Sequence, residues 1–325
     1  MNCTTRFCVS ALMLVLCAAG PASAQGQYPA KPIRVVVPNP AGGIDQYLRF
    51  FQPKMAELLG QPLVIESRPG ASGAIGAQNI AKSAPDGYSL LFCTSAQIVS
   101  NPFLIKELPY DPIKDFTPVS MLVEPADTTM SINVSVPANN VRELIEYGKK
   151  NPGKLSYGSS GIGSIPYFTG ELFKLAAGID MLHVPYKGVA QIMPELMAGR
   201  VDIAFVGLGF VAPTIASGKV KALAVLDPKR YARLPDVPSI TETLPNFRSA
   251  PLWFSIFGPA GLSRTVVLRL QEAFAKTAQV SEVRATLEER GMKVIVGTPE
   301  ELASSIRADI EMTARLVKLL GLRPE

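Results

Sequence analysis

The sequence predicts an α/β protein built of two domains, and three observations lead there. Strand-like runs repeatedly give way to a small-residue turn and then to a helical period. One extended, β-branched stretch interrupts this alternation near the middle. The 325-residue length and 47% hydrophobic content supply enough apolar surface for two cores, while 28 prolines and 26 glycines suit many short connections.

Before the fold begins, Met1 to Ala24 reads as a cleaved secretory signal. Arg6 lies in a short n-region, an apolar stretch runs from about Val9 to Ala19, and the triplet Ala22-Ser23-Ala24 has the small residues a signal peptidase needs. The mature chain is expected to start at Gln25. The apolar stretch is shorter than the roughly 20 residues of a membrane span. Leu16 before Cys17 is too bulky for a lipid-attachment context.

Cys3, Cys8 and Cys17 leave with the signal, so the exported chain keeps Cys93 alone and has no internal disulfide. A packed core must therefore supply its stability. Losing Arg6 lowers the formal charge from +5 to +4, and the remaining Lys and Arg are scattered. The densest group, Lys229-Arg230 with Arg233, reads as a solvated loop, so no nucleic-acid partner is expected. A mild positive field still favours small anions.

The first element is the run Ile33 to Val37, delivering the chain to a turn at Asn39 to Gly43. Small residues there let backbone N–H groups converge on an anion before a helix begins. Apolar residues at Ile44, Tyr47, Leu48, Phe51, Met55, Leu58 and Leu59 have helical spacing, stopped by Gly60, with Pro53 expected to kink or shorten the helix. Strand Leu63 to Glu66, a glycine-punctuated loop, helix Ala74 to Ser83, a turn at Pro85-Asp86-Gly87 and strand Ser89 to Thr94 follow. This unit predicts a mainly parallel sheet.

Thr117 to Val136 is the extended stretch where the chain crosses to a second domain. Helix Val141 to Lys150 behind Asn140, strand Leu155 to Gly158, loop Ser159 to Ser164 and helix Pro166 to Ala177 open that domain. Strand Met181 to Pro185, helix Ala190 to Ala198, strand Asp202 to Val206, helix Val211 to Ser217 and strand Ala222 to Leu226 complete it. Leu252 to Phe257 reads as the return crossing. Three helices close the chain, the last with Thr298 as cap, Pro299 in its first turn and Glu301 completing a capping box. The domains are thus residues 25–124 with 252–325, and residues 125–251.

Two crossings make a hinge, and ligands of open α/β sheets bind at the carboxyl ends of strands. Those ends are Asn39, Ala41, Gly42, Gly43, Ile44 and Asp45 with Thr94, Ser95, Ala96 and Gln97 in one domain. The other domain offers Ser159, Ser160, Gly161, Gly163 and Ser164 with Phe205, Val206, Gly207 and Leu208. A hydrogen bond to a charged group contributes about 1.5–3 kcal/mol, so four donors around one carboxylate give roughly 6–12 kcal/mol before ordering costs. Micromolar affinity needs about 8 kcal/mol, so backbone amides suffice.

Catalytic patterns are weak. His183 is the only histidine, which excludes histidine-rich metal sites, and its place in the strand-like run MLHVPYKG reads as structural. Gly161-Ile162-Gly163 is followed by Pro166 where a dinucleotide fingerprint needs glycine, and no P-loop is present. Cys93, beside Leu91 and Phe92, reads as a buried thiol. Neither an enzyme nor a cofactor is expected.

Eight segments in fixed order carry a family resemblance. They are Tyr28 to Gly43 (YPAKPIRVVVPNPAGG), Gly60 to Ala77 (GQPLVIESRPGASGAIGA), Ala84 to Leu91 (APDGYSLL), Leu108 to Ser120 (LPYDPIKDFTPVS), His183 to Gly188 (HVPYKG), Gly218 to Arg230 (GKVKALAVLDPKR), Leu234 to Ser239 (LPDVPS) and Gly258 to Gly261 (GPAG). Over nearly its whole mature length the chain resembles the Bug family of periplasmic solute receptors, the extracytoplasmic components of tripartite tricarboxylate transporters. The resemblance implies a type II, Venus-flytrap-like periplasmic binding protein. It would close on a small organic carboxylate and deliver it to a membrane permease, and a monomer is expected. One carboxylate would sit on the Asn39 to Asp45 turn, held by backbone amides and bridging waters, with Ser159 to Ser164 and Phe205 to Gly207 completing the pocket.

Three departures bear on the solute. Family members usually have phenylalanine where Asn39 stands, one more residue before the acid matched by Asp45, and an aspartate-asparagine pair where this chain has Val206-Gly207. Losing that acid removes a partner for an amino or hydroxyl group and points to an unsubstituted di- or monocarboxylate, aromatic or aliphatic. The alternative within the same cleft is an ectodomain that senses organic acids and signals without transporting them.

Overall fold

A computed structural model describes residues 28–125, 128–231 and 234–324. The expected signal peptide, Gln25 and Arg233 lie outside the described residues. Along the chain, β1 (Ile33–Val37) leads to α1 (Asp45–Leu59), β2 (Leu63–Ser67), α2 (Ala74–Ala81) and β3 (Ser89–Thr94). A widened helical turn at Ala96–Ser100 runs into the one-turn helix α3 (Asn101–Leu104), followed by β4 (Phe116–Pro125) and β5 (Thr128–Asn133). Next come α4 (Val141–Lys150), β6 (Leu155–Ser159), α5 (Ile165–Ala177), β7 (Met181–Pro185), α6 (Val189–Met197), β8 (Ile203–Gly207), α7 (Leu208–Ala216) and β9 (Val220–Val225). The chain ends through β10 (Phe254–Pro259), α8 (Arg264–Ala278), α9 (Ser281–Glu289), β11 (Met292–Val294) and α10 (Pro299–Leu319).

These strands form two sheets, in the orders β11-β4-β10-β3-β1-β2 and β7-β6-β8-β5-β9. Helices cover both faces of each, and the strands alternate accordingly. Val35 and Val37 enter one core while Val36 enters the opposite one, and in the second domain Ile203 and Phe205 face one core while Ala204 and Val206 face the other.

The expectation of a mainly parallel first sheet needs correction. β1 is parallel to β2 and to β3, but β10 is antiparallel to β3 and β4, and β11 is antiparallel to β4. The reason is the crossing itself: strands that leave for the other domain or return from it join the sheet without a helical crossover. The parallel strands still set the site. β1 and β3 end on one edge, and β6 and β8, also parallel, end together in the second sheet.

Local chemistry explains most boundaries. Gly60 terminates α1 at φ 71° with its N–H on Ala56 O. Asn140 caps α4, its side chain accepting from Glu143 N–H at 2.9 Å. The kink expected at Pro53 does not shorten α1. Proline removes only the bond to Arg49 O, while Phe51 and Met55 on either side are fully buried and hold the helix to the core.

The last helix joins both domains. Leu302 and Ile306 belong to a core of the first, whereas Val317, Leu320 and Leu322 pack against a core of the second. The segment from Leu302 to Leu322 therefore touches cores of both domains. Among the described residues, no helix is long and apolar enough to cross a membrane.

Candidate functional site

The turn between β1 and α1 contributes the first donors. Gly42 sits at φ 82°, a left-handed conformation that an L side chain strains, and Gly43 N–H closes the turn onto Pro40 O at 3.3 Å. That leaves Ala41, Gly42 and Ile44 N–H without an acceptor among the described residues. Asp45 opens α1, is only 2% exposed and takes Arg49 Nε–H on Oδ2 at 3.2 Å. Its Oδ1, like Asn39 Oδ1, is a buried acceptor with no partner among the described residues.

At the end of β3 the Thr94, Ser95 and Ala96 N–H groups all have partners within the protein. Gln97, 3% exposed, folds back so that its Oε1 accepts from Thr94 N–H and Thr94 Oγ1, and its Nε2 holds Ser72 O at 3.0 Å. Ser95 N–H donates to Trp253 O, Ser95 Oγ donates to Pro251 O at 2.8 Å, and Ala96 N–H donates to Thr94 Oγ1. Thr94, Ser95 and Ala96 thus tie β3 to the return crossing and to the Ala71–Gly73 turn. Their N–H groups are engaged before any solute arrives.

In the second domain, Ser159 Oγ accepts from Gly161 N–H at 3.0 Å, and Ser164 donates to Gly161 O through both Oγ (2.7 Å) and N–H (3.2 Å). Ser164 also caps α5, accepting from Tyr167 N–H. The Gly161 N–H is therefore engaged within the loop, while Ser160, Ile162 and Gly163 N–H have no acceptor among the described residues. The side chains of Phe205 and Val206 are buried in the cores flanking β8, and Val206 O accepts from Thr129 Oγ1 at 3.1 Å. Gly207, at the strand end, stays partly exposed.

Two interdomain contacts flank these turns. Leu104, ending α3, packs against the second domain's core and lies where a β-carbon on Gly163 would collide with its Cδ1. On the other side, a β-carbon on Gly209 would approach Arg290 O to 3.1 Å, and Arg290 itself stacks on Phe50 and donates to Gln46 Oε1 of α1. Nothing in the sequence marks Leu104, because its partner is a glycine in a distant segment. Ile162 and Phe210 are exposed apolar residues on the loop after β6 and at the start of α7. No Lys or Arg occurs among the strand-end residues from either domain. Two open hollows, one including Arg68, Gln78 and Lys82 and the other Arg49, Lys54 and Val283, include none of these turns.

Among the described residues, no catalytic relay is assembled around His183 or Cys93. Cys93 is buried, and burial pushes its thiol pKa far above the ordinary range. Ser159 Oγ lies 2.6 Å from His183 Nε2, yet among the described residues no carboxylate bonds the other ring nitrogen. Among the described residues no group of three or more His, Cys, Asp or Glu could hold a metal.

The family model for the tripartite tricarboxylate transporter family receptor matches residues 47–322. The chain belongs to that family. Rpa4515 of R. palustris, solved with adipate, is 31% identical with a TM-score of 0.83, covering 92% of this chain and 100% of that one. The periplasmic binding protein BugD is 32% identical with a TM-score of 0.80, covering 92% and 100%. MatC from Rhodopseudomonas palustris, with bound malate, is 30% identical with a TM-score of 0.78, covering 89% and 100%. The receptor family member thus has the two-domain fold of periplasmic binding proteins, as the resemblance implied.

Proposed function

We propose that the mature chain is a periplasmic receptor for a small organic carboxylate, which it binds between its domains and hands to the permease of a tripartite tricarboxylate transporter. The observation that carries this reading is the pair of strand-end turns with unengaged N–H groups: Ala41, Gly42 and Ile44 on one domain, Ser160, Ile162 and Gly163 on the other. Backbone donors bind a carboxylate without a buried cation, and the dipole of α5 behind the second turn favours the same charge. Adipate in Rpa4515 and malate in MatC, both dicarboxylates, support the same solute class. Asn39 Oδ1 and Asp45 Oδ1 add two buried acceptors to the first turn, suited to a bridging water or a solute hydroxyl.

On this reading the signal is cleaved after Ala24, the chain acts as a monomer without cofactor or catalysis, and the domains divide as residues 25–124 with 252–325 and residues 125–251, with α10 strapping the two. Thermal denaturation of the mature protein with adipate, malate and a panel of mono- and dicarboxylates tests it. A true solute stabilises by about 2.7 kcal/mol at a hundredfold excess over its Kd. Absence of any shift across the panel overturns the carboxylate assignment.

A further inference from the structure

The only histidine of the chain sits under the second-domain turn. His183 on β7 is the register partner of Tyr157 on β6, and Ser159 lies two residues beyond Tyr157 on the same face of that strand. The imidazole is clamped by Tyr157 and Tyr167, with ring centroids 5.1 and 4.8 Å away, and its Nε2 meets Ser159 Oγ at 2.6 Å. Ser159 is fully buried, and its single hydroxyl also accepts from Gly161 N–H and lies 3.2 Å from Gly161 O. We infer that His183 is a positioning residue for the solute loop: through the Ser159 hydroxyl it fixes the Gly161 peptide and hence the direction of the neighbouring Ser160, Ile162 and Gly163 N–H groups. This rests on the carboxylate-receptor reading only for the use made of those N–H groups.

The hydroxyl has one proton, which makes the arrangement sensitive to the imidazole's state. With Nε2 unprotonated, Ser159 donates to it and Gly161 O is left to Ser164. With the ring doubly protonated, Nε2–H donates to Ser159 Oγ, and the serine proton must turn to Gly161 O, which already accepts twice from Ser164. For a neutral ring that carries its proton on Nδ1, protonation therefore crowds one carbonyl and displaces the loop. The charged groups facing the ring are Glu171 and Lys174 on α5, paired with each other at 3.3 Å; Glu171 also accepts from Tyr157 OH at 2.7 Å, and Lys174 reaches Asp180 at 3.6 Å. Desolvation lowers the imidazole pKa, Glu171 opposes that, and Lys174 reinforces it. Burial thus favours the neutral ring, which charges at a lower pH than an ordinary imidazole.

The test uses the mature ¹⁵N-labelled protein. In the first arm, without solute, the His183 ring and the Gly161 and Ser164 amide shifts are followed from pH 8 to pH 4.5. Expected is a common midpoint for all three. A Gly161 shift that stays flat overturns the inference, whether the ring titrates without it or never titrates. In the second arm, His183→Phe, which keeps the ring stack, and Ser159→Ala should each weaken adipate binding about tenfold at pH 7, the worth of one hydrogen bond, and together no more than either alone. Additive losses overturn the coupling. If the parent binds no carboxylate, the receptor reading fails, while the solute-free titration still decides the role of His183.

Discussion

Leu104 occupies the space that a side chain at Gly163 would need, so a leucine of the first domain is seated directly on the main chain of the second domain's strand-end turn. The contact ties the first domain to the turn whose Ser160, Ile162 and Gly163 N–H groups are unengaged among the described residues. Gly163 also has φ 82°, so glycine is required there for two independent reasons.

Gly163→Ala should therefore destabilise the protein by both collision and backbone strain, the latter costing roughly 1–2 kcal/mol. Adding Leu104→Ala should recover the collision part alone. A double-mutant cycle on urea midpoints measures this, and purely additive effects would refute the contact.

At the first turn the critical glycine is Gly42 rather than Gly43. Gly42 lies at φ 82° with open space around it, whereas Gly43 has ordinary φ and would bring a β-carbon 3.1 Å from Pro40 O. Gly42→Val should cost roughly 1–2 kcal/mol of backbone strain and remove the adipate-induced thermal shift while far-UV circular dichroism stays unchanged. A valine variant that binds like the parent would show that this turn does not hold the solute.

Trp253 Nε1–H donates to Asp309 Oδ2 at 2.7 Å, joining the return crossing to α10. Burial raises the Asp309 pKa, against the lowering influence of the indole. The folded carboxyl thus keeps its proton to a higher pH than the unfolded one, so the stability this provides is full below about pH 4 and is lost as pH rises through the folded pKa. Asp309→Asn keeps an acceptor for Trp253 without the charge. It should be more stable than the parent at pH 7, with the difference vanishing toward pH 4, as urea midpoints across that range would reveal.

Thr298 and Glu301 form a reciprocal cap on α10: Glu301 N–H donates to Thr298 Oγ1 at 3.2 Å, and Thr298 N–H donates to Glu301 Oε2 at 2.7 Å. Thr298→Ala should cost about 1 kcal/mol. Amide exchange should quicken at Leu302 and remain slow at Leu316, since packing against the second domain holds the far end.

Much of this molecule was readable from residue order because local chemistry governs it. The strands Ser89–Thr94 and Met181–Pro185, the Asn140 cap, the Gly60 stop and the Thr298 box each depend on neighbours within a few positions. The eight ordered segments likewise sufficed to recognise the family. What depends on distant partners was not legible. The short β11 exists because β4 offers it an edge, and the antiparallel entry of β10 follows from where the chain returns. Gln97 turned a presumed donor loop into a brace through its bonds to Thr94 and Ser72, and burial on both faces of β8 withdrew the side chains of Phe205 and Val206. A run of amino acids specifies which backbone groups can be exposed at a turn; only the packed chain decides which of them are already bonded, since hydrogen-bond partners and steric neighbours are set by spatial distance.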